Sequence, residues 1–397
     1  MSTEKKKVLV MADWFAPGFK AGGPIRSCVN FAQQLKDELD IYVLTSDRDL
    51  NDDSPYPGIQ QDKWVTYNGS IKVFYASPSW LSFSNIKKEM KSLQPSMVFL
   101  NSMYSRFFSF YPLLLKRMGS IHSRFILSPR GMLKGSAVQF SKAKKKVFLK
   151  LFRFFGLHKN ILFHCADPIE VQDVKRYFGE VTTVLLSNLP AFQKPLVLPG
   201  GKSKNHLRIL FVGRIHPIKN LDFLLKALQP IGTPVDLTII ATVEDRDYWK
   251  KCEALISQLP GNIKINFKGE IPNEEIEKII CTQDIFALPT QGENFGHAIF
   301  ESLIAGRPVV ISDQTPWQGL AQWKAGWDIS LSNPSKFTDV MRQFSGMNQE
   351  EMNEWCMGAW QFAKNYIERS DLKKRYLEVF GGLVRDKNSE YRIQESE

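Results

Sequence analysis

Two stretches of this chain repeat one order of chemistry. "KKVLVMADWFAPGFKAGGPIRSCVNFAQQL" occupies residues 6–35, and "LRILFVGRIHPIKNLDFLLKAL" occupies residues 207–228. Each reads as a continuous apolar strand, a glycine-bearing loop and a helix. In the second, Leu221, Leu224, Leu225 and Leu228 recur at helical spacing. A strand that is apolar on both faces needs cover on both, which a parallel sheet between helix layers supplies. Further apolar runs follow each opening: "IYVLTS", "IKVFYAS", "SMVFLNS", "RFILSPRG" and "VTTVLLSN", then "VDLTIIAT", "IKINFKG", "DIFALPT" and "PVVISD". Strand alternating with helix predicts an α/β fold of two doubly wound, Rossmann-like domains. The length of 397 residues suits two domains of about 100–200 residues each.

The expected division puts an N-terminal domain at 1–190 and a linker rich in Pro and Gly at 191–206. A C-terminal domain follows at 207–365, then a helix and charged tail at 366–397, a candidate to return to the first domain. The opening "MSTEKKKVLVMADWFAPG" sets lysines before an apolar run, as a signal peptide does. Asp13 interrupts that run and no small-residue cleavage site follows, so it reads as a first buried strand. No uninterrupted apolar run reaches about 18 residues, and no spanning helix is expected. Cys28, Cys165, Cys252, Cys281 and Cys356 form no CxxC. They are expected to be reduced thiols, which suits a cytoplasmic protein with a peripheral place at the inner face of the plasma membrane as a candidate.

Doubly wound sheets bind ligands at the carboxyl ends of their strands, so the chemistry belongs in the loops after strands, where two domains can face each other across a cleft. "GENFGHAIFESLIAG" follows the run "DIFALPT". Asn294, Phe295 and Gly296 make a turn, and a helix is expected from about Gly296 to Ala305, stopped by Gly306. The start of such a helix offers free N–H groups and partial positive charge to a diphosphate. Glu293 and Glu301 are separated by seven residues, roughly 12 Å along a helix. Carboxylates accept hydrogen bonds only, so Glu293 suits sugar hydroxyls and Glu301 ribose hydroxyls. Read alone, both are also compatible with solvated helix charges.

This stretch resembles the Glu-x7-Glu motif of the retaining GT-B glycosyltransferases, the large group 1 or family 4-like set. The flanking "AGRPVVIS" fits, and "FVGRIHPIKNLDFLLKAL" resembles that family's GR…KN signature. The resemblance implies a GT-B fold, a nucleoside diphosphate sugar (UDP- or GDP-linked) as co-substrate, no cofactor, and a carbohydrate or lipid-linked acceptor. It implies that Gly213, Arg214 and Lys219 clamp the donor diphosphate and steady the charge on the leaving group. It places the nucleobase near Gly269 and Ile271, and donor phosphate and acceptor near Gly22 and Gly23 in "PGFKAGGPIRS". Where many relatives carry a His, this chain has Arg130, in "LSPRGML", which is the candidate to orient the donor sugar or an acceptor anion. Glu170 matches a common family Glu and equally suits a helix-capping role. Asp47-Arg-Asp49 and Asp245-Arg-Asp247 read as solvated loops, so no metal is expected.

Net charge is +11, yet Met90–Ala166 carries 14 Lys and Arg and no Asp or Glu. At the centre of this span lies "SKAKKKVFLKLFRFFG", 141–156. As a helix it sets Phe148, Leu151, Phe152 and Phe155 on one face and Lys146, Lys150 and Arg153 opposite. Such a helix suits an anionic membrane surface, or packing of the apolar face on its own domain. A nucleic-acid partner is disfavoured: there is no helix-turn-helix, zinc-finger or RNP-like string. The leading expectation is a retaining hexosyltransferase of bacterial surface polysaccharide or glycolipid assembly. The alternatives are a GT-B sugar-nucleotide epimerase, a non-enzymatic basic protein that binds nucleic acid, and a non-catalytic partner.

Overall fold

A computed structural model describes residues 5–133 and 142–381. Ser141 of the basic segment and the charged tail from 382 onward lie outside the described residues. The chain divides into two compact units: the first runs to Leu189 and resumes at Asp371, and the second is Pro190–Ser370.

The first unit holds β1 (Lys7–Met11), β2 (Asp40–Ser46), β3 (Trp64–Tyr67), β4 (Ile71–Ala76), β5 (Met97–Leu100), β6 (Arg124–Leu127), β7 (Leu162–Cys165) and β8 (Thr183–Leu185). They form one sheet in the order β3-β4-β2-β1-β5-β6-β7-β8, parallel except for β3. Its helices are α1 (Gly23–Leu35), α2 (Phe83–Leu93), α3 (Tyr111–Arg117), α4 (Lys142–Phe154) and α5 (Pro168–Phe178). The central strands are buried along nearly their whole length, as their unbroken apolar sequences require.

In the second unit, β9 (Leu207–Ile215), β10 (Val235–Val243), β11 (Ile263–Gly269), β12 (Ile285–Leu288), β13 (Val309–Ser312) and β14 (Gly326–Ile329) form a parallel sheet. Its order is β11-β10-β9-β12-β13-β14. The helices are α6 (Leu221–Leu228), α7 (Arg246–Ile256), α8 (Asn273–Thr282), α9 (His297–Ile304), α10 (Pro334–Gly346) and α11 (Gln349–Arg369). Leu221, Leu224, Leu225 and Leu228 of α6 are buried, as their spacing implied. Gly326 is required by close approach: a Cβ there would lie 1.9 Å from the Val309 carbonyl oxygen.

After α11 the chain forms α12 (Leu372–Phe380) on the first unit. Phe380 packs edge-on against Phe31 of α1 and Phe99 of β5, at ring separations of 4.8 and 4.9 Å. Tyr376 donates its proton to the Ser187 carbonyl at 3.1 Å and lies 2.8 Å from His164 Nε2. His164 Nε2 therefore donates to the tyrosine oxygen, and Nδ1, 3.0 Å from Ser128 Oγ, accepts. Burial, reinforced by the Arg130 charge, holds the imidazole well below its ordinary pKa.

That shift has a sign. The unfolded chain takes up a proton on this ring as pH falls through about 6.5, while the folded chain resists it. The stabilisation is whole above that pH and is lost below it, by about 1.4 kcal/mol per pH unit for one proton. Thermal unfolding between neutral and mildly acid pH should show a falling midpoint in the wild type and a shallower fall in His164→Gln. Equal slopes would contradict the burial of a neutral imidazole.

In each sheet the strand order reverses once, between β1 and β5 and between β9 and β12. Connections leave these pairs in opposite directions, so a crevice opens beyond their carboxyl ends. The loops after β9 and β12, and those after β1 and β5, are therefore the places to look for chemistry.

Candidate functional site

At the second unit's switch point, β9 ends at Ile215 and a single turn of 3-10 helix, Pro217–Lys219, leads into α6. The turn closes through Lys219 N to the His216 carbonyl, 2.9 Å, and through Ile218 N to His216 Nδ1, 3.2 Å. An accepting Nδ1 requires an imidazole unprotonated at that atom. Burial is the main cause that lowers the His216 pKa; Arg214 and Lys219 lower it further, and Glu244 and Asp245 oppose the shift.

The loop after β12 fastens to that turn. Gln291 N and Thr290 Oγ1 both donate to the Ile218 carbonyl, at 2.7 and 2.9 Å. Ser312 Oγ, from the end of β13, donates to the Thr290 carbonyl. Glu293 N donates to the Gln314 carbonyl at 3.2 Å. Lys219 Nζ then forms an ion pair with Glu293 Oε1, both side chains being largely buried. Two residues expected at one site from separate motifs thus meet, 74 positions apart in sequence.

The second unit's other candidates are placed as follows. Arg214, near the end of β9, is half exposed and pairs with Glu244, beyond the end of β10, at 2.5 Å. Gly213 packs beside the Lys219 stem: a Cβ there would lie 3.6 Å from Lys219 Cγ, ordinary contact. Asn294 is partly buried, and Phe295 is buried against Phe300 and Trp317. Trp317 Nε1 donates to the Phe295 carbonyl at 2.5 Å. Gly296 has φ 75°, and a Cβ there would stand 2.8 Å from Ile299 Cδ1. The positive φ favours glycine there. It caps α9, whose start receives no side-chain cap. Gly306 at φ 70° follows the helix, close to the expected stop. Glu301 lies partly buried on α9. Gly269, at φ 66°, ends β11, and Ile271 packs on the core just before α8.

The first unit holds the others. Gly22, at φ 64° with open space around its Cβ position, precedes α1, which starts at Gly23. The Phe19 and Lys20 amides of that loop donate to Asp49 Oδ2, at 2.6 and 3.0 Å. The expectation of a solvated Asp47–Asp49 loop fails here, because both carboxylates are buried. Asp47 takes Arg48 Nε at 2.8 Å and Gln61 Nε2 at 2.5 Å, so both acids are structural anchors. Asp245 instead caps α7 by accepting from Tyr248 N, while Asp247 is exposed. No group of three or more His, Cys, Asp or Glu placed to hold a metal occurs among the described residues.

Arg130, at φ 54°, follows β6 and donates to Asn188 Oδ1 and, at 2.5 Å, to Asn101 Oδ1. Glu170 is fully buried and its carboxyl group accepts from Gly131 N at 2.5 Å and Ala166 N at 2.7 Å, tying together the loops after β6 and β7. Burial raises its pKa, and the two amides oppose the rise. Sequence reasoning did not single out Asp13, which lies near the end of β1 at the first unit's switch point. Its Oδ1 accepts from Ser105 Oγ at 2.6 Å, across the first unit's switch point, and burial raises its pKa. An acid directly after the first apolar strand was the available signal. Glu244 and Thr290 were also missed, since each matters only through a partner distant in sequence.

Residues 199–354 match the family model for the glycosyl transferases group 1. An uncharacterized 41.2 kDa protein in the cps region of Klebsiella pneumoniae is 22% identical over 178 residues, 45% of this chain and 47% of its own length. The chain spans less than half the length of the curated relatives it matches. Sucrose-phosphate synthase from Thermosynechococcus elongatus superposes with TM-score 0.70 at 13% identity, over 96% of this chain and 99% of its own. Anabaena HepE in complex with UDP and glucose superposes with TM-score 0.66 at 15% identity, over 95% and 100%. The fold is therefore GT-B, two Rossmann-like α/β domains.

Proposed function

We propose that this chain is a retaining glycosyltransferase. In this reading it moves a hexose from a UDP- or GDP-linked sugar to a carbohydrate or lipid-linked acceptor, in assembly of a bacterial surface polysaccharide or glycolipid. The observation that carries the reading is the Lys219–Glu293 pair, built at a switch point beside an uncapped helix start and inside the segment that matches the group 1 family model. The HepE complex with UDP and glucose and the cps-region relative support the donor class and the setting.

Chemically, the anomeric carbon–oxygen bond to the diphosphate breaks and the acceptor oxygen bonds to the same face. Arg214, Lys219 and the amides at the start of α9 take up the charge that gathers on the departing diphosphate. The departing phosphate oxygen accepts the acceptor's proton, so no protein base is needed. Glu293 accepts from sugar hydroxyls and Glu301 from ribose hydroxyls. Arg130, with Gly22 and Gly23, serves the acceptor side. In this reading Arg214 and Lys219 offset the phosphate charge that a divalent ion would otherwise offset, and transfer is expected to need no metal.

A thermal-shift panel of nucleoside diphosphates and their sugars tests this reading. One base should raise the unfolding midpoint, through a stability gain of about 2.7 kcal/mol at roughly a hundredfold excess over Kd. The rise should survive a chelator. No response to any nucleoside diphosphate, or a response only with added divalent metal, would overturn the proposal.

A further inference from the structure

The sequence pattern put Phe148, Leu151, Phe152 and Phe155 together on one face of α4, with the cations opposite. The structure divides the helix differently. Leu149 and Phe152 are buried in the first unit's core, with Phe148 packed against Tyr104 and Phe110. Val147, Leu151 and Phe154 face outward, 57%, 44% and 82% exposed. Their i, i+4, i+7 spacing makes one stripe. Lys146, Lys150 and Arg153 are exposed beside it.

The patch continues past the helix. Phe155, also exposed, meets Phe154 edge-on at 5.3 Å. The turn at Gly156 brings in α3, since a Cβ built there would lie 3.5 Å from Arg117 Nε and 3.7 Å from Lys159 Cδ. Met118, next to Arg117, is exposed. Large apolar side chains thus stand out from a cationic field within a 77-residue span, Met90–Ala166, that holds no acid.

We infer that this face docks on an anionic phospholipid bilayer, with Val147, Leu151 and Phe154 entering the acyl boundary and the flanking Lys and Arg meeting lipid phosphates. Charge decides the occupant. A second copy would press cations on cations in a two-fold contact, which is repulsive. A polyanion alone would leave the apolar stripe in water, whereas a charged bilayer satisfies both parts. The inference rests on the exposure of this face and stands or falls separately from the sugar chemistry.

Vesicle co-sedimentation of the full chain tests it, with phosphatidylcholine vesicles against vesicles also containing phosphatidylglycerol. Binding to the anionic vesicles should be at least about tenfold tighter and should weaken with salt. Leu151→Ser with Phe154→Ser should lose about tenfold in vesicle affinity at an unchanged thermal midpoint. Lys146→Gln with Lys150→Gln and Arg153→Gln should remove the preference for anionic lipid. In Phe154→Trp, the emission added over that of the nine native tryptophans should shift to the blue with anionic vesicles. Equal binding to both vesicle types, wild-type binding by the serine variant, or an unshifted indole would overturn the inference. So would salt-sensitive binding of a single-stranded oligonucleotide without vesicle binding, which assigns the face to nucleic acid.

Discussion

Glu293→Gln should lower the rate of sugar transfer by about 10²–10³-fold, roughly 3–4 kcal/mol in the barrier. Affinity for the nucleoside diphosphate should stay within a few-fold of wild type. The carboxylate lies against Lys219 with little solvent access, where an anionic acceptor interacts strongly with hydroxyls and with developing positive charge on the sugar. Glutamine keeps the shape and one acceptor oxygen but removes the charge and turns the other oxygen into a donor. Alanine is the poorer probe, because it strands the largely buried Lys219 cation and mixes folding loss with catalytic loss. Steady-state kinetics with a matched acceptor, beside titration of the diphosphate product, separates the two effects. A Gln variant that transfers at the wild-type rate would remove Glu293 from the mechanism.

Arg307→Met should cost about 3–5 kcal/mol of folding stability, on the scale of breaking a buried charged network. Arg307 is 1% exposed, and its hydrogen bonds among the described residues go to carbonyls rather than carboxylates. Its guanidinium donates to five carbonyls: Ile280 at 3.1 Å, Cys281 at 2.6 Å, Val197 at 3.0 Å, Ala305 at 3.2 Å and Gly306 at 3.0 Å. Four of these lie at or just past the ends of α8 and α9, where the helix dipoles are negative; of the four, the Ile280 carbonyl also accepts from Gln283 N at 3.2 Å. Burial lowers the Arg307 pKa, but a guanidinium stays charged across the usable pH range. Methionine fills the volume and removes the guanidinium donors from the Cys281, Val197, Ala305 and Gly306 carbonyls; lysine keeps the charge but cannot reproduce the fork. Urea unfolding should rank wild type above Lys and Lys above Met. A Met variant within about 1 kcal/mol of wild type would contradict this account of the second unit.

The sequence made the central strands legible because burial on both faces leaves an unbroken apolar run. β3, β7 and β14 escaped notice for different reasons. β3 is a short antiparallel edge strand with no such run. β7 carries His164, a polar residue whose partners Ser128 and Tyr376 come from elsewhere in the chain. β14 combines Gly326 and Asp328, which suggest a turn. Helix α9 was placed almost to the residue, because Gly296 and Gly306 both sit at positive φ. The site was legible as motifs, while the pairing of Lys219 with Glu293 follows from strand order, which local pattern does not contain. Asp47 and Asp49 misled for the converse reason: a charged string reads as solvated unless the amides that bind it are known.

A crystal soaked with the nucleoside diphosphate that most raises the unfolding midpoint tests the central claim most directly. Its two phosphates should lie within hydrogen-bonding distance of Arg214, Lys219 and the first amides of α9, with a ribose hydroxyl on Glu301. Density for the nucleotide on the first unit alone, or phosphates out of reach of both cations, would contradict it.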